Sequence, residues 1–132
     1  MKSIAIELAS TAHSELLDIT KQVAAVIPPG FSGLCLVYSP HTTGGVTLNE
    51  NADPAVRHDL LMDLERLAPW RDPGYLHDEG NSAAHLKSSL VGFSQMLAVE
   101  NGRLLLGTWQ GIYFCEFDGP RRRRVLVKLL EG

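Results

Sequence analysis

The chain has 132 residues, a hydrophobic share of 45%, a charged share of 20% and a formal net charge of −3. These values describe one ordinary globular domain and exclude disordered, collagen-like and coiled-coil chains. Twelve Lys and Arg against fifteen Asp and Glu do not favour sequence-independent nucleic-acid binding, and no apolar run reaches the ~18 residues of a membrane helix.

The chain opens with Ile4, Ile6 and Leu8 alternating with polar or small residues, which is strand spacing. The same stretch holds Glu7, unlike the continuous apolar run of a signal peptide, so the expected compartment is the cytoplasm. A second short strand is expected over 15–20. Thr20 then caps a short helix over 21–27, which Pro28-Pro29-Gly30 stops. Residues 33–39 read as a buried strand, 40–45 as a polar Gly-ended loop, and 46–49 as extended again. The clearest helix follows: Asp53 suits its N-cap, Pro54 its first position, and Val56, Leu60, Leu64 and Leu67 recur at helical spacing up to Pro69. Residues 70–80 form a loop, and 82–90 a further helix capped by Asn81 or Ser82.

From residue 95 the texture turns to strands. Residues 95–100 and 103–110 form a hairpin across Asn101-Gly102, and 112–117 and 124–130 are joined through Asp118-Gly119-Pro120. Seven or eight strands with two or three helices, the last strands consecutive, predict an α+β fold with mainly antiparallel, sandwich-like sheets. Cys35 and Cys115 each sit in an apolar strand-like run and read as buried free thiols. Strands with apolar residues at both alternating positions, such as 104–110 and 112–117, call for cover on both faces and hence for a closed oligomer.

Three histidines keep chemical company. His41 opens the Thr42-Thr43-Gly44-Gly45 loop, His77 lies on the loop entering the second long helix, and His85 sits in that helix's first turns. Converging imidazoles can hold Zn²⁺ with one position open, and a helix N-terminus suits an anion. The plainer reading is three polar loop and cap residues, because the spacing matches no fixed metal motif. Thr42 and Thr43 are candidates for binding phosphate through hydroxyls and backbone N–H groups, in a loop that otherwise reads as a turn. Glu50 is a candidate general base and Asp53 its orienter, although an N-cap needs no function. The run Arg121 to Arg124 alternates faces if extended, so at most two of the four point into any site, and it reads as a solvated edge ahead of an anion clamp; Trp109 and Gln110 read as packing or interface residues.

Four stretches carry a family resemblance: P-H-T-T-G-G-V-T-L-N-E-N-A-D-P, Y-L-H-D-E-G-N-S-A-A-H-L-K-S-S-L-V-G, S-Q-M-L-A-V-E-N-G-R-L-L-L-G-T-W-Q-G-I and E-F-D-G-P-R. In this order they resemble the YjbQ-like family along essentially the whole chain. The resemblance implies a homotrimer with a site near the subunit boundary. It also implies secondary thiamine-phosphate synthase activity, in which a pyrimidine diphosphate joins a thiazole phosphate with loss of diphosphate. The site candidates it implies are His41, Glu50, Asp53, His77, Asn81 and His85. A divalent ion, Zn or Mg, on His41, His77 and His85 is compatible with a phosphorylated substrate. Two further readings remain: a metal-dependent hydrolase of another phosphorylated substrate, and a trimeric ligand-binding protein without turnover.

Overall fold

The computed structural model describes residues 2–132. Eight strands and three helices follow in the order β1 Ile4–Ala9, β2 Glu15–Asp18, α1 Thr20–Ala25, β3 Gly33–Tyr38, β4 Gly44–Glu50, α2 Pro54–Leu67, α3 Ser82–Val91, β5 Ser94–Glu100, β6 Arg103–Leu104, β7 Gln110–Glu116 and β8 Arg122–Glu131. A five-stranded sheet runs β1-β8-β3-β5-β6 and a three-stranded sheet β2-β7-β4. All neighbours are antiparallel, so the expected α+β sandwich-like class holds.

The molecule has three layers. Alternate residues of the large sheet (Ile6, Cys35, Val37, Leu97, Val125, Val127, Leu129) pack on Val46, Ile112 and Phe114 of the small sheet, with Ile19, Val23 and Ile27 closing one side. The opposite face of the small sheet (Leu16, Tyr113, Cys115) packs on Ala84 of α3 and on Leu60, Leu61 and Leu64 of α2. β7 is therefore covered on both faces within one chain. This corrects the expectation that its two apolar faces need an oligomer. Cys35 and Cys115 are both free and buried, one in each core.

Local chemistry explains most boundaries. The Asp53 carboxylate accepts from the Ala55 N–H at 2.9 Å and caps α2. Leu67, expected on the buried face, is 74% exposed, because Ala68, four residues after Leu64, takes that position. At α1, Asp18 rather than Thr20 supplies the capping carboxylate, accepting from the Thr20 N–H at 2.9 Å and its hydroxyl at 2.6 Å. The expected strand over 103–110 stops at Leu104. The Gly107 N–H donates to Gln110 Oε1 at 2.8 Å and the Gln110 N–H to the Gly107 carbonyl at 3.1 Å. That turn carries the chain from the large sheet to the small one. Trp109, on the turn, is 62% exposed and is no part of a core.

Candidate functional site: a polar recess at one edge of the sandwich

Between the sheets the apolar core ends at one edge in an ion pair. Arg123 follows the same alternation as Val125, Val127 and Leu129, so its side chain points inward, where Glu116 of β7 meets it. Both are buried. Glu116 Oε1 accepts from Arg123 Nε at 2.8 Å and from the Ser10 hydroxyl at 2.7 Å; Oε2 accepts from Arg123 Nη2 and, at 3.0 Å, from the Asp118 N–H. Burial pushes Glu116 up, but these donors outweigh it and hold the carboxyl below its ordinary 4.5. The four-arginine run is therefore not simply a solvated edge. Arg122 and Arg124 are exposed, while Arg123 belongs to the interior.

Above this pair lies a recess of about 440 Å³, lined by Pro40, His41, Thr42 and Thr43 of the β3–β4 loop, His77 and Glu79 of the loop before α3, Asn81 and His85 at the α3 start, and Arg121 and Arg123. Sequence-distant segments thus bring His41, His77, His85, Thr42, Thr43 and Asn81 to one place. Glycine makes the first segment possible: a Cβ at Gly44 would overlap the Phe114 ring, and one at Gly45 the Gly92 carbonyl.

Each histidine has its own setting. β3 ends at Tyr38, opposite Leu126, and Pro40 two residues on has no N–H to continue the ladder. The His41 ring fills that role, with Nε2 at 3.1 Å from the Arg124 carbonyl oxygen and 3.0 Å from the Arg124 nitrogen. A protonated Nε2 donates to the carbonyl; an unprotonated one accepts from the N–H. Burial first, then the Arg123 guanidinium, holds His41 below its ordinary 6.5, so the ring is neutral at neutral pH. His77 and His85 lie edge to face with ring centres 5.5 Å apart. Asn81 occupies the N-cap position of α3 without capping it. Its Nδ2 donates instead to Asp118 Oδ2 at 2.9 Å, and Asp118 also accepts from Arg121 at 3.1 Å.

Glu50 and Asp53 are not in this recess. β4 runs from Gly44 to Glu50, about 20 Å at strand rise, so both acids sit toward the far end of the sandwich from the His41 loop. There the Glu50 carbonyl accepts from the Tyr113 hydroxyl at 3.0 Å. Within one chain Asp53 acts as a cap, and neither acid serves the histidines.

The metal reading is tested by the donor set. Two imidazoles on one tetrahedral zinc, at Zn–N distances of about 2.0–2.1 Å, place their ring centres roughly 5 Å apart. The His77–His85 pair meets that requirement. His41 offers only Nδ1, because Nε2 is engaged by Arg124. Among the described residues no three His, Cys, Asp or Glu side chains are arranged to hold a metal ion. One chain therefore provides at most a pair of ligands, short of the three protein ligands of a catalytic zinc. Elsewhere in the lining, two guanidiniums and two hydroxyls stand beside the start of a helix and suit an oxyanion, with Glu79 the one carboxylate among them.

Arg121 and Arg123 line the recess, as the anion-clamp alternative for the arginine run has it, although the sequence ranks a solvated edge first. The signal was present: Arg123 stands two, four and six residues before Val125, Val127 and Leu129, which puts it on the core face of β8.

Comparison with known proteins places the chain. The family model described as "UPF0047 protein YjbQ-like" matches residues 4–132. "UPF0047 protein YugU" of Bacillus subtilis is 52% identical over 127 residues, covering 95% of this chain and 96% of that protein. A crystal structure of an uncharacterised YjbQ/UPF0047 protein from Clostridium acetobutylicum superposes with a TM-score of 0.92 at 48% identity, over 96% of this chain and 99% of that one. A hypothetical protein from Aeropyrum pernix superposes with a TM-score of 0.93 at 35% identity, over 100% of both chains. With nearly its whole length matched in sequence and in fold, the chain belongs to the YjbQ-like UPF0047 family.

Proposed function

We propose that this protein binds phosphorylated small molecules in the recess beside His41, His77 and His85, and that its assayable reaction is thiamine-phosphate synthesis. The observation that carries the reading is the lining itself: Arg121, Arg123, Thr42 and Thr43 stand with three imidazoles in one polar recess. In that reaction the carbon–oxygen bond to diphosphate breaks. The diphosphate leaves with the bonding electrons, and the thiazole nitrogen supplies the pair for the new carbon–nitrogen bond. The chain's part is to take up the leaving charge. Guanidinium and hydroxyl donors fixed before the reaction stabilise an oxyanion without reorganising. The imidazoles of His77 and His85 can donate to phosphate oxygens or exchange a proton with the incoming partner.

The assembly proposed with it is a homotrimer. It is supported by the outward face of the large sheet, where Leu34, Tyr38, Met96 and Leu130 are exposed on adjoining strands. A second reading keeps a divalent ion, Zn or Mg, on His77 and His85, and with it hydrolysis of a phosphoester; the spacing of that ring pair favours it.

Untagged protein is to be titrated calorimetrically with inorganic phosphate and assayed with both thiamine precursors. Saturable phosphate binding and thiamine-phosphate formation, both lost in His77→Ala/His85→Ala, are expected. Absence of phosphate binding to the wild type would sink the reading. Binding without turnover of any precursor or phosphoester makes the protein a ligand-binding module. Stoichiometric metal by elemental analysis, with chelator-sensitive phosphoester hydrolysis, favours the second reading.

A further inference from the structure

The ion pair beneath the recess leaves part of its hydrogen-bonding capacity unspent, and Arg123 itself lines that recess. Arg123 has five N–H donors. Nε donates to Glu116 Oε1, and Nη2 is shared between Glu116 Oε2 and Thr43, reaching the Thr43 hydroxyl at 2.8 Å and its carbonyl at 3.2 Å. Among the described residues none accepts from Nη1, yet this nitrogen is not sealed in the interior as an orphaned group, and Arg123 lines the recess. The Thr43 oxygen accepts from Arg123, and among the described residues no acceptor takes its own proton. Both side chains belong to buried residues, 4% and 5% exposed, whose geometry is set before any ligand arrives.

We infer that Arg123 and Thr43 form the anchor of a phosphate subsite, Nη1 and the Thr43 hydroxyl holding two oxygens of one phosphate group. The inference rests on the reading of the recess as a phosphate-ester site and assigns the contact that holds the ester there. Glu116 grips the Nε/Nη2 edge of the guanidinium and so turns the Nη1 end outward. The donation from Nη2 into the Thr43 oxygen polarises the hydroxyl and makes it a stronger donor. The Glu116 charge offsets that of Arg123, so the subsite reads hydrogen-bond geometry more than net charge. It therefore favours tetrahedral oxyanions, inorganic phosphate and phosphomonoesters, over monovalent anions such as chloride. Arg121, half exposed and already paired with Asp118, supplies a more mobile cation at the rim.

The test uses calorimetric titration with inorganic phosphate and with phenyl phosphate, on full-length wild type and on Thr43→Val, Thr43→Ser and Arg123→Lys. Thermal unfolding of each variant checks the fold. Thr43→Val keeps the shape and removes the hydroxyl; binding about 5–20-fold weaker is expected, with Thr43→Ser restoring it. Arg123→Lys, which lacks the fork, is expected to bind about 10–100-fold more weakly. Should Arg123→Lys fail to fold, the two Thr43 variants decide alone. Wild-type binding with Thr43→Val as tight as wild type overturns the anchor and leaves the phosphate reading standing. No phosphate binding by the wild type overturns both.

Discussion

At the scale of single residues, the Glu116–Arg123 pair has a consequence for stability that differs from its consequence for binding. Removing one member of a buried pair leaves the other charge uncompensated. Glu116→Ala is therefore expected to cost about 3–5 kcal/mol, read as a lower denaturant midpoint. The pH dependence follows from two shifts of known direction. Glu116 titrates below 4.5 in the fold, so its contribution is complete above pH 4.5 and is lost as pH falls through its lowered value. His41 titrates below 6.5, so the unfolded chain takes up its proton first, and stability starts to fall as pH drops below 6.5. A stability profile should thus show a small decline below pH 6.5 and a steeper one below 4.5; His41→Gln should abolish the first and spare the second. Arg123 also shows how much of the site the sequence disclosed. His41, His77 and His85 were legible because each stands where a polar loop meets regular structure. The arginine was hidden because alternation names two faces, and only the Val125, Val127, Leu129 series tells which of them is the core.

At the scale of elements, local signals are legible in the sequence and changes of partner are not. Asp53-Pro54 marks the start of α2 by chemistry confined to three residues, and the structure keeps it. Asp53→Ala should cost about 1 kcal/mol of stability, measured by chemical denaturation, and leave phosphate binding unchanged. A loss of binding at unchanged stability would instead return Asp53 to the site. Asn81 shows the opposite outcome. It holds the cap position, but its amide is drawn to Asp118 across 37 residues of chain, a pull that no local pattern reveals. The expected strand over 103–110 fails for a related reason. Its residues are strand-like throughout, and only the turn at Gly107 shows that the chain changes sheets there. Glu50 follows the same rule. Nearness in sequence to the His41 loop argued for a shared site, but an intervening strand carries neighbours apart as surely as a turn brings them together.

At the scale of the whole molecule, the layers redirect the argument for assembly. The apolar strand β7 finds cover on both faces inside the chain, while the outward face of the large sheet exposes Leu34, Tyr38, Met96 and Leu130. In the cross-strand register Leu34 lies opposite Ala98 and Leu130, and the neighbouring Leu36 opposite Met96, which makes the patch continuous. Light scattering at micromolar concentration should give three chain masses for the wild type. Leu34→Glu/Met96→Glu should shift it toward one chain mass without unfolding it, since neither side chain belongs to a core. A wild-type particle of one chain mass removes the assembly proposal. Fold class was legible because strand and helix periodicities need no tertiary information, whereas sheet order is set by packing between segments far apart in sequence.

The two thiols give this layered architecture a built-in clock. Burial pushes Cys35 up to about 11 and Cys115 up to about 12, so neither is a reactive thiolate at neutral pH. An alkylating reagent therefore records only the moments when a layer parts. Cys35 times the separation of the two sheets, and Cys115 the lifting of the helices from the small sheet. Equal labelling rates for the two would mean that the sandwich opens as one unit. Faster labelling of Cys115 would mean that the helical layer, which carries His85 and borders the recess, breathes on its own.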